Sequence, residues 1–132
     1  MERIAERRLD LSFSRLSVSV FSLGDDLAVL LYGGEREHIG SAVLSVPRLS
    51  LKDDGTVSCT SSVLNLPGHK DEAICRMVSE SLSASLGKTV LAAGGFHVDN
   101  LSKEDIKEVI DAVSAVMPSL VSELRIVFQT AP

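Results

Sequence analysis

At 132 residues the chain is long enough for one domain with a proper core and too short for two. A net charge of −5 with no basic cluster, one tyrosine and four phenylalanines argues against a nucleic-acid partner. The longest apolar run, Leu27 to Tyr32, is far short of a membrane span, and Arg3, Arg7 and Arg8 are offset by Glu2, Glu6 and Asp10 with no apolar stretch after them, so neither a membrane anchor nor a signal peptide is expected.

Apolar residues alternate at Leu9, Leu11 and Phe13, then at Leu16, Val18 and Val20. Both sets have strand period, and the parity slip at Ser14-Arg15 predicts a bulge or bend inside one strand. Gly24-Asp25 turns the chain into a second strand, Leu27 to Tyr32, whose unbroken run predicts a central position. Gly33-Gly34 ends it. Ala42 to Val46 is a third strand, and Pro47 predicts an edge or bulge there. Asp53-Asp54-Gly55-Thr56 is a hairpin signal of type I′, joining a strand at 48–52 to one at 56–63.

From Asp71 the period changes. Ile74, Met77, Val78, Leu82 and Leu86 share a helical face, with Gly87 as the stop. Thr89 to Ala93 is a short buried strand closed by Gly94-Gly95. A second helix starts with Ser102 as N-cap and Asp105 in its first turn. Its stripe runs from Ile106 through Val113 and Met117 to Leu124, so the helix is expected to continue through Pro118 with a kink rather than end there and give way to a strand at Leu124–Phe128. The order is β-β-β-β-β-α-β-α, an α+β fold in which two amphipathic helices cover one face of a largely antiparallel or mixed sheet. The opposite face, apolar through Leu27, Val29 and Leu31, calls for a partner, and self-association is the usual one.

No P-loop, Gly-x-Gly-x-x-Gly, Gly-x-Ser-x-Gly or His-Glu-x-x-His is present. Cys59 and Cys75 fit no metal or redox spacing and read as reduced thiols in a cytoplasmic protein. The chemistry gathers at the three histidines. His38 follows Gly33-Gly34, His69 follows Pro67-Gly68, and His97 follows Gly94-Gly95. Each is read as lying in a loop before a regular element, where glycine admits close backbone approach and imidazole can bind a metal, move a proton or hydrogen-bond an anion. His69 and Lys70 stand at a helix start, a natural phosphate seat. Asp99 is near enough in sequence to orient His97. Three histidines on separate loops also fit a zinc or nickel site, with Glu72 spaced to share a ligand role with His69. That alternative is a small metal-dependent hydrolase.

His38-Ile39-Gly40 entering a strand, Pro67 to Glu72 opening the first helix, and Gly94 to Asp99 followed by Leu101-Ser-Lys-Glu-Asp-Ile resemble the prenylated-flavin chaperones (LpdD-like), typified by the small D subunit of hydroxyarylic-acid decarboxylases. The resemblance covers most of the chain. It implies a small α+β homodimer that is not itself a decarboxylase, binds prenylated FMN in its reduced form, and loads or matures that cofactor in a UbiD-type decarboxylase. On this reading His69 and Lys70 seat the phosphate, Gly33, Gly34, Gly94, Gly95 and Phe96 shape the ring slot, and His38, Ser41, His97 and Asp99 line its polar edge, Gly40 belonging to the same His38 motif. Where the family has a proline before the first histidine this chain has Glu37, so His38 is expected to face the ring system rather than the phosphate.

Overall fold

The computed structural model describes residues 1–66 and 70–130. Six strands, β1 (Glu2–Asp10), β2 (Arg15–Leu23), β3 (Asp26–Gly34), β4 (Arg36–Leu49), β5 (Val57–Asn65) and β6 (Val90–His97), form one mixed sheet with α1 (Lys70–Leu86) and α2 (Lys103–Thr130). Spatial order is β1-β2-β3-β6-β4-β5. Only β3 and β6 run parallel; β6 enters between β3 and β4 by the crossover through α1, which brings the carboxyl ends of β3 and β6 side by side.

The expected order of elements holds, though the first four strands are divided differently. The parity slip at Ser14-Arg15 is a hairpin turn and not a bulge: the Leu11 N–H donates to the Ser14 carbonyl at 2.8 Å, and β1 folds back on β2 from Asp10↔Arg15. The strand therefore begins at Glu2, in a charged stretch that carries little period-2 signal. Conversely, residues 42–46 and 48–49 belong to one strand. Pro47 lies past Ser45, the last residue that β4 pairs with β6, so there β4 has a neighbour on one side only, where a proline is tolerated. The Asp-Gly hairpin is wider than a two-residue turn. Positive φ falls on Asp53 and Gly55, not on adjacent residues, and the Ser50 N–H reaches the Thr56 carbonyl at 2.8 Å.

Leu16, Val18 and Val20 of β2, Leu27, Val29 and Leu31 of β3, and Val90, Ala92 and Phe96 of β6 are buried with Ile74, Cys75, Val78 and Leu82 of α1 and Val113, Leu120 and Leu124 of α2. Leu27, Val29 and Leu31 thus face the helices, which corrects the expected parity. Within an unbroken apolar run period alone cannot say which set goes inward. The outward set is Ala28, Leu30 and Tyr32. Each fully buried Leu or Val contributes about 1.5–3 kcal/mol, so this layer holds the sheet to the helices. Gly87, at φ 65°, ends α1 and donates to the Ser83 carbonyl at 2.9 Å. Ser102 caps α2 reciprocally: its hydroxyl accepts the Asp105 N–H at 3.0 Å and its own N–H donates to Asp105 at 3.2 Å. The helix continues through Pro118 to Thr130, as expected. Glu108 on α2 takes the Ser12 N–H at 2.6 Å and hydroxyl at 2.7 Å, which docks the β1–β2 turn.

Candidate functional site

The parallel insertion of β6 sets the site. β6 does not end at Gly94-Gly95; it runs through both glycines to His97. His38 is likewise inside a strand, the third residue of β4. Two of the three glycine-flanked histidines are therefore strand residues rather than loop residues. A buried strand tolerates the two glycines, which in sequence look like its end.

The β4–β6 ladder is interrupted at this point. Arg36 pairs with His97 and Glu37 with Phe96, and the register resumes at Ser41↔Gly94. His38, Ile39 and Gly40 thus oppose Gly95 alone, a bulge of two extra residues that bends β4 and re-aims its side chains. The His38 ring lies directly over Gly95: a Cβ built there would stand 2.5 Å from His38 Cε1 and 2.8 Å from each ring nitrogen. Gly40 clears room on the other side, where a Cβ would overlap Asp71 Oδ2.

Asp71, in the first turn of α1, fills the gap. It is 2% exposed. Its Oδ1 accepts the Phe96 N–H at 3.0 Å and its Oδ2 lies 3.3 Å from His38 Nε2. The His97 ring stands perpendicular to His38 with centroids 6.2 Å apart, and its Nε2 is 2.9 Å from Asp99 Oδ1. The orienting partner expected for His97 is thus in place.

Other candidates have different work. The Phe96 ring, expected to help shape the ring slot, is buried and packs edge-on against Phe13 at 6.1 Å between centroids; odd and even positions of β6 face opposite ways, and Phe96 has the helix-facing parity of Val90 and Ala92. Ser41 is buried and donates to Asn65 Oδ1 at 2.8 Å, and Asn65 donates in turn to Glu72. This chain fastens the start of α1 to β5 instead of lining a ligand edge. The space beside Gly33 is taken by the Arg15 carbonyl and that beside Gly34 by the His97 carbonyl, so both are required by close strand approach and clear no ring slot. Pro67, Gly68 and His69 lie outside the described residues, and Lys70 is the first residue of α1. No group of three histidine, cysteine or acidic side chains is arranged to hold a metal ion among the described residues.

The concavity next to this cluster opens on the sheet face away from the helices. It has a volume of about 480 Å³ and is lined by His38, Ile39 and Glu37 from the bulge, Leu30 and Tyr32 from β3, Ser19 and Phe21 from β2, Ala93 and Gly94 from β6, and Arg3 from β1. That size falls in the range of roughly 300–1,000 Å³ typical of small-molecule sites. The Tyr32 hydroxyl is paired with Ser19 Oγ at 2.9 Å. Sequence reading reached only His38 and Gly94 of this lining directly. Tyr32 and Leu30 share one parity set of the run 27–32, but period does not say which set faces the groove, and nothing local marks Arg3, Ser19 or Phe21 as their neighbours.

Residues 12–125 match the model of the prenylated flavin chaperone LpdD-like domain. The chain belongs to this family. No curated protein matches it. Among solved structures the LpdD-like chain is similar to one from a chaperone complex for yeast 20S proteasome assembly, with a TM-score of 0.54 and 10% identity over 92% of this chain and 93% of that chain. At that identity the likeness is one of fold. No helix among the described residues is long and apolar enough to cross a membrane.

Proposed function

We propose that this protein binds prenylated FMN, in reduced form, on the open face of its sheet and delivers it in the cytoplasm to a UbiD-type decarboxylase, without catalysing decarboxylation itself. The observation that carries the reading is the groove of about 480 Å³ whose apolar wall of Phe21, Leu30 and Ala93 ends at His38, with the His97 ring packed edge-on behind it. An apolar slot with a few convergent polar groups suits a planar ring system with a polar edge. Binding without turnover fits a groove whose Ser19 hydroxyl is paired with Tyr32 rather than with a base.

On this reading the ring lies along Leu30 and Ala93, with His38 and His97 at its polar edge. The phosphate needs a cation. The first turn of α1 carries Asp71 and Glu72, carboxylates that oppose an anion there, so the seat proposed at His69 and Lys70 competes with Arg3, the cation that lines the groove. We assign the phosphate to Arg3. A homodimer forms by the same sheet face: Leu44 and Val46 of β4 and Leu91 of β6 are 38–45% exposed there, and a second copy covers them.

Anaerobic titration with reduced prenylated FMN, with plain reduced FMN as control, tests the reading. Saturable binding selective for the prenylated form is expected, weakened about tenfold by Arg3→Gln, the size of one charge-assisted hydrogen bond. Failure to bind either flavin refutes it. Sedimentation of Leu44→Lys against the parent tests the dimer; a parent that sediments as a monomer removes that part.

A further inference from the structure

Asp71 is buried, and its carboxylate touches His38, which lines the groove. A buried carboxylate is tolerated only where its oxygens find donors. Here one oxygen has the Phe96 N–H at 3.0 Å and the other has His38 Nε2 at 3.3 Å. Two glycines, Gly40 and Gly95, leave the space the pair occupies. The partner that Asp71 needs is therefore an N–H on Nε2. In the neutral imidazole one nitrogen carries the proton and the other accepts. With the proton on Nε2, Nδ1 becomes an acceptor, and the His38 side chain, 39% exposed, borders the groove. The neighbouring ring repeats the arrangement in weaker form, since His97 also turns Nε2 to a carboxylate, that of the largely exposed Asp99.

We infer that Asp71 is a positioning residue: it holds His38 by Nε2 and so presents Nδ1 as a hydrogen-bond acceptor, which makes the groove selective for a heteroaromatic ligand carrying an N–H donor, such as the imide edge of a pyrimidinedione ring. The ligand part rests on the flavin reading; the positioning part does not. Asp71→Asn keeps an oxygen for the Phe96 N–H, so its effect on the groove runs through His38.

Two amides separate the two nitrogens. Glutamine at 38 places its amide near the Nε2 position and asparagine places its own near Nδ1. His38→Gln keeps a donor for Asp71 and is expected to retain the parent's urea midpoint while losing about tenfold in affinity for reduced prenylated FMN. His38→Asn keeps an acceptor near Nδ1 but loses the hold of Asp71, and is expected to show a lowered midpoint with a smaller loss of affinity than His38→Gln. Nitrogen-15 NMR of the imidazoles supplies a readout free of ligand: the parent's neutral His38 carries its proton on Nε2, and Asp71→Asn shifts that population toward Nδ1. If no flavin binds the parent but the NMR change occurs, the chaperone reading falls and the positioning role stands. If flavin binds while Asp71→Asn leaves both the His38 resonances and the affinity unchanged, or if the two amide variants behave alike, the inference is overturned.

Discussion

Replacing Gly95 by alanine puts a methyl group where the His38 ring lies, and the outcome follows from what that methyl meets. Its three nearest neighbours are side-chain atoms of one residue, Cε1 at 2.5 Å and the two ring nitrogens at 2.8 Å. A side chain of which 39% is exposed can swing outward. The sheet itself needs no adjustment, and alanine gains about 0.4–1 kcal/mol by restricting the unfolded chain. Against this, Asp71 Oδ2 loses its imidazole partner, a cost of about 1–3 kcal/mol for a buried polar group left with one donor. The net expectation is a loss of about 0–2.6 kcal/mol. Gly94→Ala is the control. Gly94 has φ 139° and its Cβ would overlap the Leu31 carbonyl, which is backbone in the central parallel pair and has nowhere to go. Strain at that φ and overpacking add to about 3 kcal/mol or more. In urea, with a slope of about 1–3 kcal/mol/M, the two variants should separate by a readily measured midpoint difference. Gly95→Ala should also displace the His38 imidazole resonances, whereas the parent's remain fixed. A Gly95→Ala protein as unstable as Gly94→Ala, or one whose His38 resonances do not move, would refute the view that Gly95 is a seat for that ring.

Three further outcomes follow from other parts of the chain. Ser79 is fully buried on α1 and its hydroxyl is shared among the Val43 carbonyl at 3.1 Å, the Val90 carbonyl at 2.9 Å and Ser45 Oγ at 2.8 Å; Ser79→Ala should cost about 1–3 kcal/mol in urea unfolding, and a neutral result would show that α1 needs no polar link to β4 and β6. Burial first, and the nearby Asp71 charge second, push the Cys75 thiol up to about 12. A thiol reagent at pH 8 should therefore label the half-buried Cys59 in the folded protein and Cys75 only on unfolding, and rapid reaction of two thiols would contradict the packing. Asp54 is held below its ordinary 3.8 by the Thr56 hydroxyl first and the Thr56 N–H second. A carboxyl depressed on folding stabilises above its unfolded value and loses that contribution as pH falls through the folded one. The stability difference between the parent and Asp54→Asn should accordingly be present at pH 6 and vanish in the acid range below pH 3.8, and a difference that persists in acid would remove the hydroxyl's role.

The fold was legible where sequence spacing carries physical consequences along one element. The stripes of both helices, the stop at Gly87 and the cap at Ser102 depend on residues three or four apart, and all were readable. Strand boundaries were less so, because pairing is decided by a partner elsewhere. The charged stretch Glu2–Asp10 becomes a strand because β2 is already in the sheet and α2 offers Glu123 to Arg7 at 2.9 Å. Likewise, Gly94 and Gly95 look like a stop in isolation, yet β3 and β4 on either side continue the ladder past them to His97.

Glycine was the informative residue at the site, for a reason the sequence could not state. Of the candidates chosen for proximity to glycine, His38 and His97 do converge, 6.2 Å apart. The glycines beside them, however, make room for protein: Gly33 and Gly34 for neighbouring strands, Gly95 for an imidazole, Gly40 for a carboxylate. Space left by a missing side chain is filled by whatever the topology delivers, and here the crossover through α1 delivers Asp71 from a helix start to the gap between two strands. The sequence places Asp71 where the helical period begins; only the interrupted β4–β6 register shows that its carboxylate takes the Phe96 N–H where the two strands part. The bulge that opens that gap is also what turns Glu37, His38 and Ile39 toward the groove. One irregularity of two residues in β4 therefore determines both the buried partner of His38 and the groove edge beside it, so shortening the bulge by deleting Ile39 should remove the proposed flavin binding and the Asp71 contact together.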